Sequence, residues 1–464
     1  MGYLNSRQPE LAFKACLEGM NAEPDNEDLL MQFGFINMQQ RNFGLARHVF
    51  GLIRDRRPND FAVLHNLGLA EISCAPYSGE EKYLDIGDKN LRKALSKSEE
   101  SYQSMNGIGQ VYLHKGNWQA CVEYCEKSLA INPNQAGLRE TYGMALLAQG
   151  RLSQGFQNLD LHIPSLTRKP KPIASEPYWE GPRAKITPAG VIDFGPKERL
   201  FVQGEQGMGD EISFAGLVPA AARDCQVLLE CDPRLEGLFK RSFPEVRVEG
   251  TRNRDRDWEF TADGMCLSGS LCTHYFKEES DFPRKGFLKA DYERQIQWRA
   301  LLQNLPGKKI GIAWKGGVPM NFASRRSLQL TNLLPILRLK GVTWVSLEYK
   351  DPTEEIEHFR RRNPDVHIVH WPRAVGKGVD YDETAALVSE LDGVVSVCTS
   401  VIHLCGALGK KAHVLVPKVP RWFYESKDSK HRWYDSLTLH RETDKGWPVD
   451  AVRQALIDAK LGEG

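Results

Sequence analysis

The stretch 198–223 combines a glycine-rich turn with acidic residues at the start of a predicted helix. Glu205, Gln206 and Gly209 lie in the turn, and Asp210 opens the helical pattern that follows. A strand that leads through such a turn into a helix lets the backbone approach a ligand closely, and the helix N-terminus favours negative charge. Because carboxylates already occupy this helix start, we expect Asp210 to accept a proton rather than to hold a phosphate.

A second polar turn follows the apolar run 394–397. Thr399 and Ser400 stand at the start of another helical pattern, where free backbone N–H groups favour a phosphate. His403 lies one turn further along that helix. Its spacing leaves two interpretations open: the imidazole donates to the same anion, or its hydrogen bonds are satisfied inside the core.

Length and charge bound the class of protein. A chain of 464 residues predicts two or three domains, and 61 Lys plus Arg against 60 Asp plus Glu argues against a nucleic-acid binder. No apolar run approaches the roughly 20 residues of a membrane span, and the first residues lack the apolar segment of a signal peptide. The ten cysteines form no CxxC pair, which favours a reduced, cytoplasmic chain.

Small residues and prolines repeat through the first third of the chain. Glycines recur at intervals of 34, 41 and 34 residues, and prolines keep the same register: Gly34, Gly68, Gly109 and Gly143, with Pro24, Pro58 and Pro133. This is the tetratricopeptide (TPR) period, so residues 1–162 are predicted to form a solenoid of about four helix pairs. The extra residues of the longer interval are expected to form a loop near 74–82, marked by Pro76 and Gly79. Such arrays bind a peptide or protein on the concave face, or serve as a scaffold for a homodimer.

Seven prolines then fall within 33 residues: Pro164, Pro170, Pro172, Pro177, Pro182, Pro188 and Pro196. Prolines at this density exclude a helix or a central strand, so residues 163–197 are predicted to form a connector. Tyr178 and Trp179 in its middle are expected to pack on a neighbouring element.

Strand and helix patterns alternate beyond the connector. Strands are predicted at 200–203, 226–230, 246–248, 309–314, 343–347, 367–369, 393–397 and 412–416, and helices at 211–223, 234–243, 292–303, 330–339, 353–362, 382–391, 401–408 and 449–459. The alternation predicts two parallel-sheet domains, 198–304 and 305–464, that face a cleft. The last helix is expected to cross back to the first of these domains.

Several short motifs stand in a characteristic order at 179–181, 205–210, 313–316, 326–327, 382–387 and 403–409. With the repeats, they resemble bacterial TPR-containing glycosyltransferases whose catalytic region is similar to the lipopolysaccharide heptosyltransferases. The O-GlcNAc transferases are similar in domain architecture only. The resemblance implies an α plus α/β chain: a TPR α-solenoid followed by a GT-B double-Rossmann region.

The resemblance also implies transfer of a sugar from a nucleotide-sugar donor, with no cofactor and no metal. Asp210 would deprotonate the acceptor hydroxyl and the anomeric centre would invert. The donor diphosphate would lie over Thr399, Ser400 and His403, and Lys315 and Arg326 would neutralise its charge. Further possible site residues are Glu205, Gln206, Gly209, Trp314, Asp382, Thr384 and Trp422. Cys398 stands where the family usually has an aspartate.

Three functions remain open at this level. The first is transfer to Ser or Thr of a protein that the TPR presents. The second is transfer to a glycan or another non-protein acceptor, with the TPR used for assembly. The third is a non-catalytic TPR adaptor. Two Asp-x-Asp triplets, at 255–257 and 380–382, match a metal-binding pattern of another glycosyltransferase fold, but such triplets are common in charged chains.

Overall fold

The computed structural model describes residues 9–163, 171–173, 175–182, 185–186, 192–193, 197–252, 254–317, 322–376, 378–425 and 428–463. They form two compact units. The first contains the described residues up to Gln149 together with those of 318–325, and the second contains the described residues of 150–317 and 326–464. Pro164, Pro170, Pro188 and Pro196 of the predicted connector lie outside the described residues.

The first unit consists of paired antiparallel helices. They are α1 (Pro9–Ala22), α2 (Glu27–Gln39), α3 (Phe43–Arg56), α4 (Phe61–Ser78), α5 (Lys82–Leu95), α6 (Tyr102–Lys115), α7 (Trp118–Ile131) and α8 (Ala136–Ala148). Pro24, Pro58 and Pro133 each follow the end of a helix by two residues. The structure therefore confirms the TPR-like helical repeat.

The repeated glycines are needed where the two helices of a pair touch. A Cβ atom on Gly68 would lie 2.7 Å from Cγ of Leu91, and one on Gly34 would overlap the ring of Phe50. Contacts this short exclude any side chain at these positions without movement of the neighbouring helix. The spacing of small residues thus reflects helix packing, as predicted.

The loop predicted near 74–82 is wrong in part. Pro76 lies inside the last turns of α4, and Gly79 is the left-handed residue that ends this helix, at φ 72°. Much of the inserted length therefore extends the helix. Pro76 has no backbone N–H to donate, so the carbonyl of Ile72 lacks its usual helical donor.

Residues 322–325 belong to the first unit although the sequence places them in the last domain. Phe322 is buried there and its ring lies 5.0 Å from that of His114, centre to centre. Arg325 donates to the carboxylate of Glu81 and to the carbonyl of His114, both at 2.7 Å. These contacts explain why the segment groups with the helical repeat.

The second unit begins with α9 (Leu152–His162), which the sequence assigned to the solenoid. Phe156 is buried against Phe276 and Trp422, and Asp160 accepts a hydrogen bond of 2.5 Å from Thr273. The apolar face of α9 is thus covered by the α/β region, while the boundary at 162 stays a prediction.

The N-terminal lobe of this unit has a four-stranded parallel sheet. Its strands are β3 (Glu198–Gln203), β4 (Cys225–Glu230), β5 (Arg247–Glu249) and β6 (Gly264–Leu267), in the order β5-β4-β3-β6. Its helices are α10 (Met208–Ala215), α11 (Val218–Asp224), α12 (Glu236–Ser242) and α13 (Leu271–Tyr275). The helix predicted at 211–223 is broken between α10 and α11, where Pro219 opens the second helix. Strand β6 was missed.

The connector packs on this lobe where it is described. It contains the two-stranded antiparallel pair β1 (Lys185–Ile186) and β2 (Ile192–Asp193). Trp179 is buried, and its backbone N–H donates to the carbonyl of Met265 on β6 at 2.8 Å. The hydroxyl of Tyr178 lies 2.6 Å from Oγ of Ser270. The prediction that Tyr178 and Trp179 pack on a neighbour is confirmed.

The C-terminal lobe has a six-stranded parallel sheet. Its strands are β7 (Lys308–Ala313), β8 (Val342–Ser346), β9 (Ile368–Val369), β10 (Gly393–Val397), β11 (Ala412–Val416) and β12 (Leu437–Arg441), in the order β12-β11-β10-β7-β8-β9. Its helices are α14 (Tyr292–Gln303), α15 (Leu334–Leu337), α16 (Thr353–Arg362), α17 (Tyr381–Glu390), α18 (Ser400–Ala407) and α19 (Val449–Asp458). Strand β12 was missed.

The lobe core lies between the sheet and its helices, and includes Ile310, Trp314 and Trp344. Helix α19 buries Val452 and Leu456 in the same core. The expectation that this helix crosses back to the first lobe is corrected accordingly: its apolar face is used within the C-terminal lobe. The predicted class, a TPR solenoid followed by parallel-sheet α/β domains, is confirmed.

Candidate functional site

Each sheet reverses its strand order at one point. In the C-terminal lobe β7 lies between β8 and β10, and in the N-terminal lobe β3 lies between β4 and β6. Ligands of open parallel sheets bind in the crevice that forms beyond the carboxyl ends of the strands at such a point. The turn 204–207 follows β3, and the turn 398–400 follows β10. Both turns chosen from the sequence therefore lie at these reversal points.

The two turns also meet each other. A Cβ atom on Gly209 would lie 3.0 Å from Cδ2 of His403 and 3.3 Å from Cα of Ser400. Helices α10 and α18 thus touch at their first turns. This arrangement brings Asp210 beside the start of α18.

His403 is buried with both ring nitrogens engaged. Nδ1 lies 2.7 Å from Oγ of Ser213, and Nε2 lies 3.1 Å from the hydroxyl of Tyr424. Ser213 donates its own proton to the carbonyl of Gly209, so Nδ1 is assigned as the donor to Ser213 and Nε2 as the acceptor from Tyr424. Burial lowers the pKa of His403 to about 4. The neutral ring joins the two lobes, and the anion-binding role expected for it is replaced by this contact.

Arg326 lies beside the turn that precedes α18. Only 9% of the residue is exposed, and one terminal nitrogen donates to the carbonyl of Cys398 at 3.4 Å. Nε has no hydrogen-bond partner among the described residues. The guanidinium also abuts Gly317, whose φ of 78° favours glycine. Burial lowers the pKa of Arg326, and the charge of Asp210 opposes that shift.

The start of α18 lacks a side-chain cap. Thr399 is its N-cap residue, but no side-chain capping bond forms there. The Thr399 hydroxyl lies 3.2 Å from Oγ of Ser396, and the Ser400 hydroxyl accepts from Tyr381 at 3.3 Å. Both residues are partly exposed. An anion at this helix start would receive backbone N–H groups, as the sequence predicts.

Lys315 and Trp314 have partners within the lobe. The Lys315 ammonium pairs with Glu355, and the indole N–H of the buried Trp314 donates to the same carboxylate at 3.2 Å. The backbone N–H groups of Trp314 and Lys315 both donate to Glu348. Burial raises the pKa of Glu348 to about 7. The expected contact of Lys315 with a diphosphate would therefore need an exchange of ion-pair partner.

The carboxylates of the first turn have different surroundings. Glu205 accepts a hydrogen bond of 2.9 Å from the N–H of Gly269, and burial raises its pKa to about 7. Asp210 accepts one of 3.1 Å from the N–H of Gly207. Gln206 is exposed in a left-handed conformation at φ 58°, and its carbonyl accepts from Arg252 at 2.7 Å. A non-glycine residue in this region of φ indicates local strain.

Three predicted site residues are used elsewhere in the fold. Asp382 is buried and forms an ion pair with Arg241 of the other lobe. The Thr384 hydroxyl donates to the carbonyl of Ala374 at 2.6 Å. Trp422 is buried in an aromatic cluster and stacks on Phe423 at 3.9 Å. The polar groups or ring faces of these residues have partners within the fold, and a ligand contact by them stays a prediction.

The Asp-x-Asp triplets stabilise the structure. Arg256 of the first triplet pairs with Glu230, and Asp380 of the second caps α17. Across the described ranges, no group of three or more His, Cys, Asp or Glu side chains could hold a metal ion. Within the same ranges, none of the helices has both the length and the apolar character needed to cross a bilayer.

Two charged residues near the candidate site were not predicted from the sequence. Arg421 lowers the pKa of both Arg326 and His403 by its charge, so it lies in the same cluster. It follows Pro420 in an irregular segment, and no pattern marks it. Glu348 lies just after β8, and an acidic residue at the end of a buried strand was a signal available in the sequence.

No family model matches the chain. It is similar to Protein FlbA of Caulobacter vibrioides, with 26% identity over 440 residues that cover 84% of this chain and 72% of that protein. Among solved structures it is similar to MamA (16% identity, TM-score 0.29), covering 35% of this chain and 91% of that one. It is also similar to TTC0263, a TPR protein of Thermus thermophilus, with 14% identity and a TM-score of 0.32. That match covers 35% of this chain and 86% of the other. A third similar structure is PilF of Pseudomonas aeruginosa, with 20% identity and a TM-score of 0.30. The match covers 36% of this chain and 73% of the other.

Proposed function

We propose that the protein is a glycosyltransferase that moves a sugar from a nucleotide-sugar donor to an acceptor hydroxyl. The observation that supports this most is Arg326, buried at the carboxyl ends of β7 and β10 with Nε unpartnered. A guanidinium removed from water without a full set of hydrogen-bond acceptors destabilises the protein. A bound diphosphate would supply the missing oxygen acceptors, and Arg421 would add a second positive charge.

Transfer needs stabilisation of the leaving diphosphate. In the proposed reaction Arg326 and the first N–H groups of α18, at Thr399 and Ser400, bind its oxygens. Negative charge grows on that group as the bond to the sugar breaks, and fixed donors in a site of low dielectric stabilise it. Arg326 supplies a full positive charge and the helix start a partial one, so the proposal assigns no role to a metal ion.

The acceptor hydroxyl must lose its proton as it attacks. Glu205 lies in the turn after β3, and Asp210 lies in α10, whose first turn touches the start of α18. The resemblance implies that Asp210 is the base. A direct displacement would invert the anomeric centre.

The proposed acceptor is Ser or Thr of a protein. The TPR-like helical repeat supports a protein partner, since such solenoids bind polypeptides. Addition of an unfolded Ser/Thr-rich polypeptide to the full chain and a nucleotide sugar should accelerate nucleotide release. Release accelerated instead by a soluble glycan would favour the non-protein acceptor.

Donor binding is tested with one arginine variant. A panel of UDP-, GDP-, ADP-, TDP- and CMP-sugars should give at least one binder by thermal shift and calorimetry. Arg326→Met should weaken that binding by about 10- to 100-fold, the value of one or two hydrogen bonds between charged groups. Arg361→Met, at an exposed arginine of α16, is the matched control and should bind as the wild type.

A non-catalytic TPR adaptor is the second candidate. The ion pair of Lys315 with Glu355 favours it, as does the Glu348 carboxylate that occupies two backbone donors of the turn after β7. Failure of the wild type to bind any nucleotide sugar of the panel at millimolar concentration would support the adaptor and contradict the transferase.

A further inference from the structure

We propose that Glu205, and not Asp210, accepts the proton of the acceptor hydroxyl, an assignment that rests on the proposed glycosyl transfer. The acceptor oxygen forms a bond to the anomeric carbon as the bond from that carbon to the diphosphate oxygen breaks. The electron pair of the broken bond leaves with the diphosphate. The hydroxyl proton moves to the Glu205 carboxylate, which becomes a carboxylic acid and later returns the proton to water.

Glu205 lies at the reversal point of the N-terminal sheet. It follows β3, and its Oε1 accepts from the N–H of Gly269, which follows β6. The carboxyl ends of these two neighbouring parallel strands form the crevice in which this lobe would bind a ligand. One oxygen is thus fixed by the backbone, and the residue remains partly exposed. The position suits a base that meets an incoming hydroxyl.

The groups that face Glu205 shift its pKa in both directions. Asp210 of α10 and Asp160 of α9 both raise its pKa, while the N–H of Gly269 and the side chain of Gln206 lower it. The buried thiols of Cys266 and Cys272 also lie near Glu205, whose charge adds to the rise in their pKa values. Burial is the largest effect, and the resulting pKa is about 7. A base of that pKa is half ionised near neutral pH and accepts a proton readily.

Asp210 faces the other lobe. Its Oδ2 accepts from the N–H of Gly207, so the carboxylate caps its own helix. Its charge raises the pKa of His403 and of Arg326, both on the donor side. Asp210 is therefore assigned as a positioning residue, which orders the start of α10 and places a negative charge near Arg326.

Two isosteric variants separate the roles. Glu205→Gln should lower kcat by about 10²- to 10⁴-fold, the usual value of a general base, with the KM for the donor unchanged. The limb of the pH profile of kcat near pH 7 should disappear. Asp210→Asn should lower kcat by no more than about 10-fold, raise the donor KM, and keep that limb.

Glu357→Gln, at an exposed glutamate of α16, is the control. It should keep both kcat and the pH limb. Calorimetric binding of the donor by Glu205→Gln at wild-type affinity shows that the variant is folded. Wild-type kcat in Glu205→Gln, or a pH limb that disappears in Asp210→Asn instead, would overturn this assignment alone. Absence of any sugar transfer by the wild type would overturn both the assignment and the proposed function.

Discussion

The turns that follow the first strands of the two sheets can be compared directly. Each turn region places a carboxylate on backbone N–H groups: Glu205 on that of Gly269, and Glu348 on those of Trp314 and Lys315. Burial raises the pKa of both carboxylates to about 7. The charges around them differ. Asp210 raises the pKa of Glu205, whereas Lys315 lowers that of Glu348.

The difference indicates a division of charge between the lobes. The N-terminal lobe contributes Asp210 to the place where α10 and α18 meet, and the C-terminal lobe contributes Arg326, Arg421 and a helix start. A proton acceptor and an anion site are best kept on different elements, because a cation beside the base would hold it ionised and weaken it. The two buried carboxylates thus share a raised pKa but have neighbours of opposite charge.

The histidine that joins the lobes gives the largest expected effect. The pKa of His403 is about 4 in the folded protein, below the ordinary 6.5, so folding favours the neutral ring. This contribution is present above pH 6.5 and is lost as the pH falls towards 4, by about 3 kcal/mol in all. Relative to wild type, His403→Gln should show a shallower fall in the free energy of unfolding between pH 6.5 and 4.

Denaturant unfolding at a series of pH values measures this difference, and His358→Gln, at an exposed histidine of α16, is the control. Parallel pH curves for His403→Gln and wild type would contradict the buried neutral ring. In that case the contact between the lobes would not depend on this protonation state.

A smaller effect is expected at the carboxylate of the C-terminal lobe. The pKa of Glu348 is raised from 4.5 to about 7, and only 4% of the residue is exposed. Folding therefore disfavours its charged form, a cost that is absent below pH 4.5 and complete above pH 7. Glu348→Gln keeps an oxygen for the two backbone donors and should raise the free energy of unfolding at pH 8 by about 1–3 kcal/mol. The gain should vanish near pH 4; destabilisation at pH 8 would contradict this account.

The smallest effect is expected at the start of α18. Thr399 makes no capping bond, so Thr399→Ala should change the free energy of unfolding by less than about 0.5 kcal/mol. Asp291→Ala is the comparison in the same unit, because Asp291 caps α14 through the N–H of Arg294 at 2.9 Å. It should cost about 1 kcal/mol. An equal cost for both, measured by denaturant unfolding, would show that Thr399 caps α18 in solution.

Much of the fold could be predicted because it depends on local periodicity. The helices at 292–303 and 353–362 were predicted with their observed bounds, and eight of the strands lie within two residues of their predicted positions. Strands β6 and β12 were not predicted; in β12 apolar residues alternate with polar ones. The packing of α9 on the α/β region could not be predicted, because the partner of its apolar face, around Phe276 and Trp422, lies far along the chain.

The candidate site could be predicted in position but not in detail. The turns containing Asp210 and Thr399 were identified because strand, turn and helix are adjacent in sequence. Asp382 and Trp422 were assigned to the site from motif position and aromatic content. Their actual partners, Arg241 and Phe423, are matters of packing.

The sequence by itself determined the repeat period, the order of strands and helices, and the two turns at the reversal points, since these follow from the spacing of apolar, small and helix-ending residues. Only the tertiary structure decided which polar groups are already paired. Ser213 forms a hydrogen bond with His403, which lies 190 residues further along the chain, and Glu355 forms an ion pair with Lys315. Nε of Arg326 has no partner among the described residues. Hydrogen-bond satisfaction and desolvation depend on neighbours in space, and these set the charge and the availability of each group.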